Sequence, residues 1–426
     1  MTRKINHDSD RVRGALFTAL LVMAVAAFAA SPAEAQAWSL SGSASSDIRW
    51  FLDTAAHPGQ LDGQQGSLVL APEWLWRSED RRHQLKVAPF ARWDGEDEER
   101  SHFDLREGFY RYSGDGWDLL AGAARVFWGV AESRHLVDVI NQTDAVEDID
   151  EEDKLGQPML RVGVTRGWGR LELYSLLGFR ERTFAGVDGR LRAPFVADDG
   201  RAVYESGAEE EHVDWAVRWS NAIGDWDVGA HVFHGTAREP RFIVEPGGND
   251  ALVPLYEQVE QVGIDIQYTR NAWLYKLEGL ARRGQGGSFG AAVAGGEYTL
   301  YQLVGAADLG LIGELHWDDR DPVSGAAGTP RVNPTSTLLA PTIYDRDIFL
   351  GARLALNDIQ DTSILVGALV DHDDRSTAVF VEAERRVATR VTAEIEGRFF
   401  TNVDPTGDLA AVERDDVFTV RLAWNF

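Results

Sequence analysis

The last twelve residues, Asp415 to Phe426, read DDVFTVRLAWNF. Phe418, Val420, Leu422, Trp424 and Phe426 stand two apart, with Thr419, Arg421, Ala423 and Asn425 between them. Successive side chains of an extended strand point to opposite faces, so one face of this segment is wholly apolar and the other polar. The stretch predicts an amphipathic strand that ends on an aromatic residue of its own apolar face.

Working outward from it, the same alternation recurs along the chain. His212 to Ala222 puts Val213, Trp215, Val217 and Trp219 against Asp214, Ala216, Arg218 and Ser220, and Glu257 to Thr269 puts Val262, Ile264, Ile266 and Tyr268 against Gln261, Asp265 and Gln267. Counted from Trp38 to the terminal stretch, 18 candidate strands emerge, each of about 8 to 13 residues, the span a tilted strand needs to cross a bilayer. Longer polar connections follow odd-numbered strands and short turns follow even-numbered ones, and a soluble sandwich or propeller has no reason to sort them so. Two segments read less clearly. Asp104 to Ser113 buries a charge in either register, and the glycine-rich Arg283 to Gly296 reads as a loop.

Bulk composition narrows the class. The 426 residues carry a formal net charge of −26 with no long basic tract, which argues against a nucleic-acid partner. There are no cysteines, so disulfides, thiol nucleophiles and thiolate metal sites are excluded. The 14 tryptophans are concentrated at predicted strand ends: Trp76, Trp117, Trp168, Trp219, Trp226, Trp273 and Trp424 at one rim, and Trp50, Trp93, Trp128 and Trp317 near the other, while Trp215 sits inside a strand. Indole rings prefer the headgroup layer, so this distribution predicts two aromatic girdles. Residues 1–35 read as a cleaved signal peptide, with Arg11 and Arg13 before the apolar run Ala15 to Ala30 and Ala33-Glu34-Ala35 at the cleavage site. Residues 36–426 then form a single domain near −27, with no run of about 18 apolar residues able to span as a helix.

The terminal strand resembles the closing strand of bacterial outer-membrane β-barrels, and the whole pattern resembles the porin superfamily. The resemblance implies a Gram-negative outer-membrane protein whose Phe418, Val420, Leu422, Trp424 and Phe426 are read by the assembly machinery. The expected fold is all-β: a transmembrane antiparallel up-and-down barrel of about 18 strands, with long extracellular loops and short periplasmic turns. Its partners would be outer-membrane lipid, lipopolysaccharide and a small hydrophilic solute, and it would be a monomer or homotrimer. No cofactor and no metal is expected: DIDEEDK lacks the glycine and spacing of an EF-hand loop, and no serine–histidine pair stands out for catalysis.

A barrel of this size encloses water. Lys86, Arg92, Arg125, Arg161, Arg218, Arg353, Glu382, Arg390, Glu394 and Arg398 fall on inward positions and are candidate pore-lining residues. The insertion 129–157 is the candidate constriction. Its apolar cluster Leu136, Val137, Val139 and Ile140 suits a loop folded against an inner wall, and the acidic run Glu147, Asp148, Asp150, Glu151, Glu152, Asp153 with Lys154 would narrow the pore. In placing an insertion after an early strand the chain is similar to general porins, and WGVAESRHLVDVINQTD resembles a pattern in proteobacterial porins related to alginate exporters. These features imply passive diffusion of small hydrophilic solutes or an oligosaccharide. A barrel plugged by its own loops, serving adhesion or surface structure, is the alternative.

Overall fold

The computed structural model describes residues 38–244, 251–320, 337–339 and 344–426, so the signal-peptide reading of residues 1–35 lies outside the described residues. Eighteen strands form one sheet. In chain order they are β1 Trp38–Phe51, β2 Gln64–Arg77, β3 His83–Asp94, β4 Phe103–Gly114, β5 Trp117–Ala124, β6 Gln157–Arg166, β7 Gly169–Leu177, β8 Val213–Ile223 and β9 Trp226–Thr236. There follow β10 Gln258–Arg270, β11 Trp273–Gly284, β12 Gly287–Val304, β13 Ala307–Asp318, β14 Asp347–Ala355, β15 Ser363–Asp371, β16 Thr377–Ala388, β17 Val391–Thr401 and β18 Val417–Asn425. Each strand pairs antiparallel with its neighbours in the chain.

The sheet closes on itself. β1 pairs with β18 from Ser43 opposite Asn425 to Phe51 opposite Val417, and Phe426 exchanges both backbone hydrogen bonds with Gly42, at 3.0 and 3.2 Å. Closure removes the free edges that a sheet of this length would otherwise present. Gly42 itself is required there: its φ is +146°, and a Cβ would lie 2.4 Å from the Ala71 carbonyl oxygen. No helix among the described residues is long and apolar enough to cross a membrane, which says nothing of strands.

The alternation predicted from the sequence sets the two faces. Outward positions stay exposed although they are large and apolar, among them Leu68, Leu173, Val213, Val262, Leu315, Leu350 and Leu422. Inward positions such as Asp47, Arg92, Asp214, Glu278 and Glu314 are buried and charged. This is a sheet turned inside out relative to a soluble protein, and it is stable where the outer face meets hydrocarbon.

Several local readings are corrected. In β4 the register slips, with Glu107 opposite Ala88 and Leu105 opposite Pro89, which leaves Arg106 as an extra residue. This bulge turns Arg106 inward along with Asp104 and Glu107, which is why no single alternation fitted the segment. The stretch 283–296 is strand, because β11 and β12 run on to a two-residue turn at Gln285 and Gly286, both with positive φ as a tight hairpin turn requires. β5 stops at Ala124, so Trp128 leaves the girdle and is buried inside the barrel against Tyr174 and His231. Trp215 is the third residue of β8, close to its rim, where it stacks on His234.

Candidate functional site

The interior is organised by residues 125–156, which connect β5 to β6 and lie almost wholly inside the barrel. Val137, Ile140, Asn141, Gln142, Thr143 and Asp144 are all within 2% of complete burial. The first half docks on two wall glutamates. Glu278 of β11 accepts the backbone N–H groups of Val130, Ala131 and Val137 at 2.6, 2.8 and 3.2 Å. Glu314 of β13 accepts those of Glu132 and Ser133 at 2.8 and 2.9 Å and the Ser133 hydroxyl at 2.6 Å. Irregular backbone inside a barrel must find partners for its N–H groups, and a carboxylate with two oxygens satisfies several at once. Trp128, Val137, Val139 and Ile140 then join wall residues Phe109, Leu120, Tyr174, Leu176, Phe233 and Val259 in one apolar cluster.

The second half is held by arginines. Arg92 of β3 donates from Nε and Nη2 to Glu147 at 2.7, 2.8 and 2.5 Å, and from Nη1 to Asp47 at 2.7 Å. Arg49 of β1 reaches the Glu147 carbonyl at 2.7 Å and Asp148 at 3.0 Å. Arg100 donates to the Val146 and Glu147 carbonyls, and Arg106 donates to Asp144 at 2.5 Å. Two strands from β1 across the closure, Arg398 of β17 pairs with Asp148 and, at 2.5 Å, with Asp150. The insertion thus crosses the lumen from β11 and β13 to β1, β3, β4 and β17. Burial would raise the Asp144 carboxyl, but hydrogen bonding from His102 and the Arg106 charge together bring it down to about 2.

The acidic run therefore divides. Glu147, Asp148 and Asp150 are consumed by arginines, Glu151 pairs with Arg182 at 2.9 Å, and Lys154 lies 3.8 Å from Asp138. Glu152 and Asp153 stay exposed, and Glu152 borders the open cavity described next. Enclosure by the barrel, and then the carboxylates of Asp150, Glu382 and Asp153, push Glu152 up to about 7. Enclosure and Glu147 push Asp153 up to about 6.

Between the insertion and the wall β14 to β17 a cavity of about 1150 Å³ remains. Cross-strand register orders its wall into rows. Phe349, Leu369, Ala378 and Phe400 form one row, followed by Gly351, Gly367, Phe380 and Arg398, and then by Arg353, Leu365, Glu382 and Glu396. Ala355, Ser363, Glu384 and Glu394 form the last. Two glutamate pairs thus stand directly opposite each other on β16 and β17, an arrangement that opposes folding unless water or cations separate the charges. Arg421 lies 2.9 Å from Glu394 and 3.7 Å from Glu396, whereas no ion pair within 4.0 Å is found for Glu382, Glu384 or Glu152 among the described residues.

Other predicted wall residues are placed as follows. Lys86 pairs with Glu73 and Glu107, Arg161 with Asp118 and Glu172, Arg218 with Asp265, and Arg353 with Glu132 and Glu297. Two are not on the lumenal wall. Arg125 lies just beyond β5, exposed and on the outward parity of Trp117, and Arg390 occupies the two-residue turn between β16 and β17, because β16 extends to Ala388. Glu278, Glu314, Arg49 and Arg106 are docking residues that the alternation shows only as inward or ambiguous. Among the described residues, two groups bring three potential metal-ligating atoms together, His102 with Asp144 and Glu147, and Asp345 with Asp347 and Asp371. In the first, Arg92 and Arg106 already neutralise the carboxylates.

No family model and no curated protein matches the sequence. Among solved structures, a BenF-like porin from Pseudomonas fluorescens is similar, with 8% identity and a TM-score of 0.50 over 92% of this chain and 98% of that one. The barrel is a porin fold. Variants of the Rh. blastica porin also align, at 11% identity and a TM-score of 0.43 over 91% of this chain and 100% of theirs. What the chain shares with the BenF-like porin is the fold.

Proposed function

We propose that this chain is a passive channel of a Gram-negative outer membrane, in which small solutes cross by the crevice between the insertion and the wall β14 to β17. Segment 147–154 is its constriction, and the mature domain 36–426 is the whole pore. The carrying observation is the asymmetry of the lumen: one side is filled by a docked insertion, and the other keeps a cavity of about 1150 Å³ bordered by Glu152, Glu382 and Glu384, which have no ion pair within 4.0 Å among the described residues. Carboxylates that have lost water but gained no partner are tolerated only where water or mobile cations reach them. Cations are therefore favoured over anions, and the terminal strand that closes the barrel on β1 fits the expected role of Phe418, Val420, Leu422, Trp424 and Phe426 in assembly.

Purified protein in planar bilayers tests this. Stepwise conductance is expected in KCl, with a reversal potential in a salt gradient that reports cation preference. Deleting Val146 to Lys154 is expected to raise the step size several-fold and to weaken the preference, because it widens the crevice, leaves Arg49 and Arg398 without their acidic partners and leaves Arg92 with Asp47 alone. An unchanged step size removes the constriction role, and the absence of steps from the unmodified protein removes the channel.

A further inference from the structure

The crevice is not uniformly hydrophilic. Its half nearest the 402–416 connection is lined by Ile149, Leu191, Phe349, Phe380, Leu409 and Val412, whereas the next two rows along the same wall carry Glu382 and then Glu384, with Glu152 among the residues bordering the same cavity. Two residues of strand advance about 7 Å, so the apolar and acidic parts are about one small molecule apart. A path meant for inorganic ions gains nothing from the apolar part, because such ions leave water only at a cost there. A cavity with an apolar body and a few placed charges is instead the usual form of a site for an organic molecule.

We infer that the crevice binds and passes organic monocations with an apolar tail, protonated alkyl- or arylalkylamines, the tail lying along Phe380 and Leu365 and the ammonium at Glu382, Glu384 and Glu152. This rests on the channel reading above and names its solute class. The ammonium supplies the charge that the opposed glutamates lack, with three N–H donors for their oxygens. Phe380, half-buried and one row above Glu382, offers apolar area to the adjoining methylenes.

The test uses the full protein in planar bilayers carrying a KCl current, with hexylammonium, ethylammonium and hexanoate as probes. Hexylammonium is expected to halve the current at a concentration about tenfold below that of ethylammonium, since several of its methylenes leave water in the crevice. Hexanoate is expected to leave the current unchanged. Glu382→Gln combined with Glu384→Gln should abolish the hexylammonium effect while open steps persist, and Phe380→Ala should bring hexylammonium to the level of ethylammonium. Equal, weak action of both amines on a normally conducting protein overturns the inference and leaves the channel standing. A protein without open steps overturns both.

Discussion

The two sides of this lumen are built from the same residue types and behave oppositely. On the β1 to β13 side, Arg49, Arg92, Arg100 and Arg106 meet carboxylates or backbone carbonyls of the insertion, and the result is a closed, densely bonded interior. On the β14 to β17 side, Glu382 and Glu384 face a cavity with no cation within ion-pair distance among the described residues. What differs is not how many charges point inward but whether each has a partner. Paired charge fills a barrel, and unpaired charge keeps it wet.

The largest effect is expected where that pairing is most buried. The Arg92 side chain is 3% exposed and joins Glu147 to Asp47, themselves at 3% and 1%. Arg92→Ala leaves Glu147 without its bidentate partner, which should cost about 3–5 kcal/mol in a reversible unfolding measurement in detergent. Replacing both members, Arg92→Met with Glu147→Met, should recover much of that loss, since no orphaned charge remains at Glu147 while Arg421 still serves Asp47 at 3.1 Å. If the double variant is as unstable as the single one, the pair does not act as a unit.

Arg398 is where the two sides meet, and a smaller effect follows from it. It ties Asp148 and Asp150 to β17 and borders the open cavity. Arg398→Gln should loosen the acidic segment and release Asp150 into the path, while Arg49 still holds Asp148 at 3.0 Å. Conductance and cation preference should both rise in a salt-gradient reversal measurement. A fall in cation preference would place the segment elsewhere than along the conducting path.

How far the sequence foretold this depends on what kind of information each residue carries. Alternation such as Val213, Trp215, Val217 and Trp219 fixes a strand and its faces, because lipid and water impose the same two-residue period on every strand. The apolar run Leu136, Val137, Val139 and Ile140 marked the insertion as something other than a solvated loop, and all four are buried. Partner choice is different, since it depends on the path of a connection and not on a period. Nothing around Glu278 shows that it will accept three backbone N–H groups from residues more than a hundred positions away. The same limit explains Arg106 and Trp128: a one-residue bulge inverts parity, and a strand that ends early sends its next aromatic inward.

The smallest expected effect is a pH dependence, and it separates the two sides again. A carboxyl pushed above its ordinary value is neutral over a wider range, so Glu152 at about 7 and Asp153 at about 6 are mostly ionised at pH 8 and mostly neutral at pH 5. Asp144, held at about 2 by His102 and Arg106 on the filled side, keeps its charge over that whole interval. Acidification from pH 8 to pH 5 should therefore reduce cation preference by removing charge from the crevice while the docked side of the insertion keeps its Asp144 anchor. The change is modest because Glu152 and Asp153 are two of several carboxylates along the path. Glu152→Gln should remove the part of the pH dependence centred near pH 7 without lowering stability, because its side chain holds nothing in place and its charge, disfavoured in the enclosed crevice, is removed. If acidification instead collapses conductance in both the unmodified protein and Glu152→Gln, the proton is acting on the fastening of the insertion and not on the charge of the crevice.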